Sequence, residues 1–251
     1  MVMVPELWRE FLQDTISHVK TGIISESRID DAVTRILRMK FKLGLFEQIK
    51  PSTRAQATVA DITATRAANR KLAREAVRQS LVLLRNDQDL LPLDPAQHIL
   101  IIGSADDIGK ASGGWTLSWQ GIGNANADFP TGTSIYGELK NQIENAGGTI
   151  ELSKQGEFER RPDKAIVVFG EDPYAEGLGD VSDLQAPNLE RVNKILRTLR
   201  EQGIPAATVF LTGRPMWINP VLEKSTAFVI AWLPGSEGGG VADLLLRDAK
   251  G

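Results

Sequence analysis

Apolar residues recur at helical spacing over the first 43 residues, and the pattern changes beyond residue 61. The first part predicts two helices, one from about 5 to 21 and a second from about 27 to 43, with Ser27 and Asp30 as a capping pair. No strand lies between these helices, so their apolar faces must dock on something else. Either they form a helical hairpin, or they are the tail of a larger domain.

Residues 48–60 are polar, contain Pro51 and lack periodicity, which is typical of a linker. Beyond them, short continuous apolar runs alternate with helical patterns. The runs that predict strands are LVLL (81–84), HILIIG (98–103), TIEL (149–152), AIVVFG (165–170), AATVFLTG (206–213) and AFVIAWLPG (227–235). The helical patterns cover 61–79, 134–146, 187–202 and 238–247. This alternation predicts an α/β fold with an open, mostly parallel sheet that is sandwiched by helices.

The composition excludes several kinds of partner and of chemistry. The 251 residues are enough for one large domain or two modest ones, and the net charge of −3 suggests no nucleic-acid or anionic-membrane partner. The absence of cysteine excludes disulfides, thiolate zinc sites and a cysteine nucleophile. Two histidines, His18 and His98, are too few for a histidine-rich metal site, and we expect both to be structural. No stretch reaches the roughly 20 apolar residues of a membrane span.

Both ends of the sequence lead us to expect a fragment of a longer protein. The N-terminus, MVMVPELWREF, has no basic region or cleavage site of a signal peptide and leads straight into a helical pattern. The C-terminus, LLLRDAKG, stops after an apolar helix with no closing element.

The loop after the strand 98–103 contains GGWTLSWQG, in which Trp115 and Trp119 are bounded by glycines. Ligands of open parallel sheets collect at the carboxyl ends of the strands, where this loop begins. A single loop tryptophan usually fills a packing gap. Two of them in one loop suggest a flat apolar platform, which suits the C–H face of a pyranose ring. A sugar site and a packing role both remain open.

Four carboxylates are concentrated in GEDPYAEGLGD (170–180), at the end of the predicted strand AIVVFG, with no lysine or arginine among them. Glycoside hydrolysis needs one protonated carboxylic acid and a second carboxylate on the opposite side of the bond. Repulsion among neighbouring carboxylates is expected to raise the pKa of a glutamate in such a loop, as a proton donor requires. A solvated acidic loop, or one that caps the helix 187–202, is an equally good interpretation.

A glycine-rich turn, GSEGGG (235–240), precedes the last predicted helix and raises the alternative of a nucleotide-binding domain. The sequence has no GxxxxGK[ST] motif, and no GxGxxG lies directly between a strand and a helix. Glu237 would repel a phosphate at this turn, so tight packing of strand against helix is the better interpretation.

Several segments together resemble glycoside hydrolase family 3, most closely its bacterial and plant β-glucosidases and exo-β-glucan glucohydrolases. The resemblance covers nearly the whole chain, with the segments in the same order as in the family. These segments are DDAVTRILRMKFKLGLFE (30–47), REAVRQSLVLLRND (74–87), GGWTLSWQG (113–121), GEDPYAEGLGD (170–180) and LPGSEGGGVADLLL (233–246).

The resemblance implies a domain arrangement that explains the two orphan helices. Residues 1–47 would be the terminal helices of a truncated (β/α)₈-like barrel domain, and 48–60 the linker. Residues 61–251 would be an α/β sandwich with a six-stranded sheet, lacking its closing segment. Most of the barrel, including the strand with the family's aspartate nucleophile, would then lie outside this chain.

The resemblance also implies roles for individual residues. Glu176, the second glutamate of GEDPYAE, matches the family's catalytic acid/base. Glu171 is the competing candidate; it is expected to orient the loop and is grouped with the substrate-binding residues. Trp115 and Trp119 match the tryptophans on the aglycone side, with Trp119 expected to stack at the +1 position. Arg214 and Glu237, on neighbouring loops, are assigned supporting roles.

The function implied by the resemblance is that of the C-terminal part of a retaining, exo-acting β-glucosidase. It would act on terminal β-D-glucosyl residues of β-glucans or β-glucosides with no metal or organic cofactor. The alternative is a non-catalytic carbohydrate-binding module, since the chain alone lacks the nucleophile and is expected to be inactive. The expected partners are the sugar substrate and the barrel domain of the same protein, and the expected location is periplasmic or secreted.

Overall fold

A computed structural model describes residues 2–47 and 59–247, with side chains described from residue 67 onward in the second range. The chain divides into two compact units, Met1–Ala64 and Thr65–Gly251. The predicted linker 48–60 lies almost entirely outside the described residues, so its assignment stays a prediction.

The first unit contains the two predicted helices, α1 (Trp8–Lys20) and α2 (Glu26–Lys42). No residue of either helix is buried, and large apolar side chains such as Phe11 and Leu37 are exposed. The predicted capping pair was wrong, because α2 begins one residue earlier and its N-cap is Ser25, whose backbone is extended. The two predicted helices are thus present, and their apolar side chains are not buried in the described part of the chain. Their assignment to a barrel remains a prediction.

The second unit is built on one six-stranded sheet, which confirms the predicted α/β class. The sheet has the spatial order β1-β6-β5-β4-β2-β3, in which every neighbouring pair is parallel except β1 with β6. Its strands are β1 (Val82–Asn86), β2 (His98–Gly103), β3 (Thr149–Ser153), β4 (Lys164–Gly170), β5 (Ala206–Leu211) and β6 (Ala227–Trp232).

Helices cover both faces of this sheet, and the core is correspondingly double. Successive residues of β2 point to opposite faces, so Ile101 belongs to one buried cluster and Leu100 to the other. Because both faces are buried, the central strands are continuous apolar runs rather than alternating ones. The helices are α3 (Val59–Ser80), α4 (Ile108–Ser112), α5 (Ile135–Asn145), α6 (Leu189–Glu201), α7 (Asn219–Leu222) and α8 (Gly239–Leu245).

Of the two histidines, His98 contacts other parts of the chain in a way that supports a structural role. His98 is buried in β2, where its Nδ1 lies 2.8 Å from the Thr149 hydroxyl and its Nε2 3.3 Å from the Arg160 carbonyl oxygen. His18 lies on the exposed surface of α1.

Strands β2 and β4 are adjacent in the sheet, but the chain leaves them in opposite directions. From β2 it continues to the outer strand β3, whereas from β4 it continues to β5 on the other side. Such a reversal opens a crevice between the carboxyl ends of the two strands, where ligands of open α/β sheets bind. The segments with the paired tryptophans and the four carboxylates both begin at this crevice.

Candidate active site

The tryptophan loop, residues 113–121, follows α4 and takes its shape from left-handed backbone positions. Gly113, Trp115, Leu117 and Gly121 all have φ between +59° and +75°. The Trp115 amide donates to the Trp119 carbonyl oxygen at 2.9 Å, which closes the loop. This closure brings the two indole rings to 6.4 Å between centroids, with a 39° angle between their planes.

Both indoles are available to a ligand, since Trp115 is 68% exposed and Trp119 54% exposed. Exposure of this size excludes the interpretation that they fill packing gaps in this unit. The Asn124 side chain donates to the carbonyl oxygens of Thr116 (2.8 Å) and Gly121 (3.2 Å), and these two hydrogen bonds stabilise the loop. The result is a fixed, tilted aromatic surface at the carboxyl edge of the sheet.

The carboxylate loop, residues 170–180, begins with Glu171, whose side chain is only 10% exposed. Three consecutive residues at the exit of β5 act as its donors. The Thr212 hydroxyl lies 2.6 Å and the Gly213 amide 3.2 Å from Oε2, and the Arg214 Nε lies 2.9 Å from Oε1. Both oxygens of Glu171 are thus directed toward the protein.

The second carboxylate of this loop, Asp172, also forms an ion pair. Lys110 Nζ donates to its Oδ1 at 2.7 Å. Two of the four carboxylates are therefore paired with positive charges from neighbouring segments, Arg214 and Lys110. The like-charge crowding suggested by the sequence is reduced accordingly. Glu176 and Asp180 are exposed.

Glu176 begins a short 3₁₀ turn, Glu176–Gly179, and has a left-handed backbone with φ of +48°. The amide of the preceding residue, Ala175, donates to the Gln120 side-chain oxygen at 2.8 Å. Because Gln120 belongs to the tryptophan loop, this bond ties the backbone beside Glu176 to the segment with the indoles. The Gln120 contact is one that sequence reasoning missed.

Tyr174 provides the second connection between the two loops. A Cβ placed on Gly114 of the tryptophan loop would lie 1.9 Å from the Tyr174 carbonyl oxygen, and one on Gly179 would lie 2.4 Å from its ring. The Arg214 guanidinium carbon lies 4.3 Å from the ring centroid. Burial, followed by the charge of Glu171, raises the pKa of the Tyr174 phenol, with Arg214 opposing the shift.

The two supporting residues lie in different surroundings. Arg214 contacts the carboxylate loop directly, because its Nη1 also donates to the Gly179 carbonyl oxygen at 2.6 Å. Glu237 is only 7% exposed and accepts from Arg70 Nε of α3 at 3.0 Å. The structure therefore brings Arg214, Glu171, Glu176 and the tryptophan loop together, and it places Glu237 in a separate ion pair at the start of α8.

Among residues 2–47 and 67–247, whose side chains the structure describes, no group of three or more potential metal-ligating His, Asp or Glu side chains is found. In the same ranges no helix is long and apolar enough to cross a membrane.

Comparison with protein families gives a match over residues 81–250 to the model described as the glycosyl hydrolase family 3 C-terminal domain. Among curated proteins, the chain is 33% identical over 253 residues to the lysosomal beta glucosidase of Dictyostelium discoideum, covering 92% of this chain and 30% of that protein. It is 26% identical to the periplasmic beta-glucosidase of Salmonella typhimurium, covering 99% of this chain and 36% of the relative. The chain thus spans about a third of the length of these relatives.

Solved structures give the same picture. The exo-1,3/1,4-beta-glucanase of a Pseudoalteromonas species superposes with a TM-score of 0.89 at 48% identity, covering 100% of this chain and 31% of that chain. The beta-glucosidase of Listeria innocua in complex with isofagomine superposes with a TM-score of 0.69 at 26% identity, covering 92% of this chain and 32% of that chain.

Proposed function

Because this chain belongs to glycoside hydrolase family 3, we propose that it supplies the proton donor and the aglycone-side surface of a retaining, exo-acting β-glucosidase. The proposal rests on one observation, the contact between the tryptophan loop and the carboxylate loop. Gln120 and Gly114 fix the segment of Glu176 against the loop with the exposed indoles. One glutamate and one aromatic platform are therefore held close together on segments that follow β2 and β4.

In the proposed reaction, Glu176 first donates a proton to the glycosidic oxygen as the bond to the anomeric carbon breaks. An aspartate of the barrel domain, outside this chain, attacks that carbon and forms the covalent glycosyl-enzyme. Glu176 then removes a proton from the water that hydrolyses this intermediate. Such a retaining pair requires carboxyl groups about 5–5.5 Å apart. An exposed Glu176 is free to approach the substrate and a barrel carboxylate.

Glu171 is less suited to this role and fits the orienting role expected from the resemblance. Both of its oxygens accept hydrogen bonds from the exit of β5, so neither is directed at a substrate. We propose that Trp115 and Trp119 contact the leaving group, with Trp119 at the +1 position. Flat apolar rings of this kind suit a pyranose.

The proposed substrates are β-glucosides and the ends of β-glucans. Relatives of this chain are named as β-glucosidases and as an exo-1,3/1,4-β-glucanase, which supports this class. One relative is named as a lysosomal enzyme and another as a periplasmic enzyme. On this basis we propose a periplasmic or secreted location for this protein. In this proposal residues 1–47 belong to the barrel domain, which completes the site.

The proton donor is tested with Glu176→Ala in the full-length protein. For a glucoside with a poor leaving group, kcat/KM should fall by roughly 10²- to 10⁴-fold, since the leaving oxygen loses its acid. A 2,4-dinitrophenyl glucoside should be largely spared in the glycosylation step, and azide should partly restore turnover by replacing the base-activated water. Asp180→Ala, an exposed carboxylate of the same loop, is the matched control. Full activity of Glu176→Ala on both substrates would contradict the assignment.

A second candidate function is favoured by the exposure of both indoles. Taken alone, the chain holds an aromatic platform without the nucleophile, so it fits a non-catalytic carbohydrate-binding module. Binding of a β-glucan oligosaccharide that is abolished by Trp119→Ala, with no turnover, would support that description of the isolated chain.

A further inference from the structure

Arg214 contacts the carboxylate loop at both of its ends. Its Nε donates to Glu171, the first residue after the loop leaves β4, and its Nη1 donates to the carbonyl oxygen of Gly179, where the 3₁₀ turn ends. The two bonds are 2.9 and 2.6 Å long. One planar guanidinium therefore closes the loop that carries Glu176 between these two points.

The surroundings of Arg214 hold this arrangement in place. Its side chain is 23% exposed and its guanidinium lies over the Tyr174 ring. The Arg214 amide donates to the Thr212 hydroxyl oxygen at 3.2 Å, which fixes the turn after β5. A charged group that bonds a carboxylate, a carbonyl and an aromatic face at once is strongly oriented.

We propose that Arg214 is a positioning residue for the proton donor: by joining Glu171 to Gly179 it sets the direction from which Glu176 reaches the glycosidic oxygen. Arg214 makes no contact with substrate in this mechanism and acts only through the loop. The inference rests on the proposed function of Glu176. Proton transfer depends steeply on geometry, and a displacement of about 1 Å can cost roughly 10²-fold in rate.

The competing explanation is that Arg214 only neutralises Glu171, which is nearly buried. The two explanations predict different activities for the Arg214→Lys variant. A lysine keeps the positive charge beside Glu171, but its single ammonium cannot reproduce the planar fork that bonds Glu171 and Gly179 together. If charge alone matters, Arg214→Lys should behave like the wild type. If positioning matters, it should be impaired in proton donation.

The experiment compares Arg214→Lys and Arg214→Ala with Glu176→Ala in the full-length protein, on cellobiose and on 2,4-dinitrophenyl β-glucoside. We expect kcat/KM on cellobiose, which reports the glycosylation step, to fall about tenfold in Arg214→Lys and roughly 10²-fold in Arg214→Ala. On the dinitrophenyl substrate, whose leaving group needs no acid, the loss of kcat/KM should stay within about threefold. The lysine variant decides the question if the alanine variant does not fold.

Arg161→Ala is the matched control, because Arg161 also donates to a backbone carbonyl oxygen, that of Gln202 at 2.9 Å. This bond lies at the opposite end of the sheet, before β4 and β5, so its loss should affect both substrates equally. Equal losses on both substrates in the Arg214 variants, or none, would overturn the inference while Glu176→Ala still shows its leaving-group dependence. A Glu176→Ala variant without that dependence would overturn the proposed function and this inference with it.

Discussion

Gly114 lies where the tryptophan loop packs against the carboxylate loop. A Cβ at this position would lie 1.9 Å from the Tyr174 carbonyl oxygen and 3.1 Å from the Ala175 nitrogen. Both neighbours are backbone atoms, so no side-chain rotation can relieve the overlap. Glycine is required here because there is no space for a side chain, and not because of the backbone conformation. The space is missing because the two loops pack against each other.

Gly114→Ala should therefore separate the loops and weaken the Ala175–Gln120 hydrogen bond, because overpacking at rigid backbone typically costs about 1–3 kcal/mol. Hydrogen exchange of the amides of residues 171–179 should become faster, and turnover of a poor-leaving-group glucoside should fall. Gly177→Ala is the control within the carboxylate loop, since a Cβ there meets no atom within 4 Å. Unchanged exchange in Gly114→Ala would show that the loops are not held by this contact.

Sequence reasoning singled out Trp115, Trp119, Glu171 and Glu176 as candidates, because residue types concentrated in loops at strand ends are visible along the chain, and their roles stay predictions. It could not identify the partners of Gln120 and Tyr174. The Gln120–Ala175 bond joins positions 55 residues apart, and only the pairing of β2 with β4 makes them neighbours. It also overstated the acidity of the carboxylate loop, since the cations Lys110 and Arg214 come from segments that are distant along the chain but adjacent in the fold.

Among the elements, Arg74 links three helices that cover one face of the sheet. From α3 its guanidinium contacts Asp243 of α8 at 2.5 Å and Glu138 of α5 at 2.7 Å. Burial alone would raise the pKa of Asp243, but the hydrogen bond and charge of Arg74, with Gln142 and Arg78, lower it overall. The ionised form of Asp243 is thus favoured by folding.

This shift predicts a pH-dependent effect of Asp243→Asn. A lowered pKa stabilises the fold at pH values above the unfolded pKa of about 3.9, and the contribution disappears as the pH falls through the folded-state pKa. Asp243→Asn should lose about 1–2 kcal/mol of unfolding free energy at pH 7, discounted for partial exposure, and differ little from wild type near pH 2.

Urea unfolding at both pH values provides the measurement. Glu75→Gln, on the helix α3 that carries Arg74, is the control, because the exposed contact of Glu75 with Arg78 at 3.6 Å should contribute less than about 0.5 kcal/mol. A difference between Asp243→Asn and wild type that grows toward acid would contradict the assigned direction of the shift.

The ends of the strands and of the long helices were predicted from the sequence to within about three residues. This was possible because continuous apolar runs and helical periodicity are strong local signals. It missed α4 and α7, which are five and four residues long and too short for a period to appear. It also placed the start of α2 one residue late, since two serines near that start, Ser25 and Ser27, are equally good capping residues in isolation.

For the whole molecule, the decisive fact is that the chain spans about a third of the length of its relatives. A retaining mechanism needs two carboxyl groups, and the proposed nucleophile belongs to the part of the enzyme outside this chain. The apolar side chains of α1 and α2, none of them buried, fit the proposal that these helices belong to a larger domain.

The purified chain of residues 1–251 should therefore show no β-glucosidase turnover, whereas the full-length protein should be active. The comparison uses 2,4-dinitrophenyl β-glucoside, because this substrate demands least of the proton donor. Turnover by the purified, isolated chain would place a nucleophile within these residues and overturn the proposed division of the site.

The adjacency of β2 and β4 also determines when the candidate site can exist during folding. The two strands pair across more than 60 residues of chain, and parallel pairing of distant strands forms slowly, after local helices and turns. No local segment can bring Gln120 to Ala175 before the centre of the sheet is complete. The candidate site should thus form only when the sheet is complete. A partly folded chain would contain the indoles and the carboxylates, but they would not be aligned.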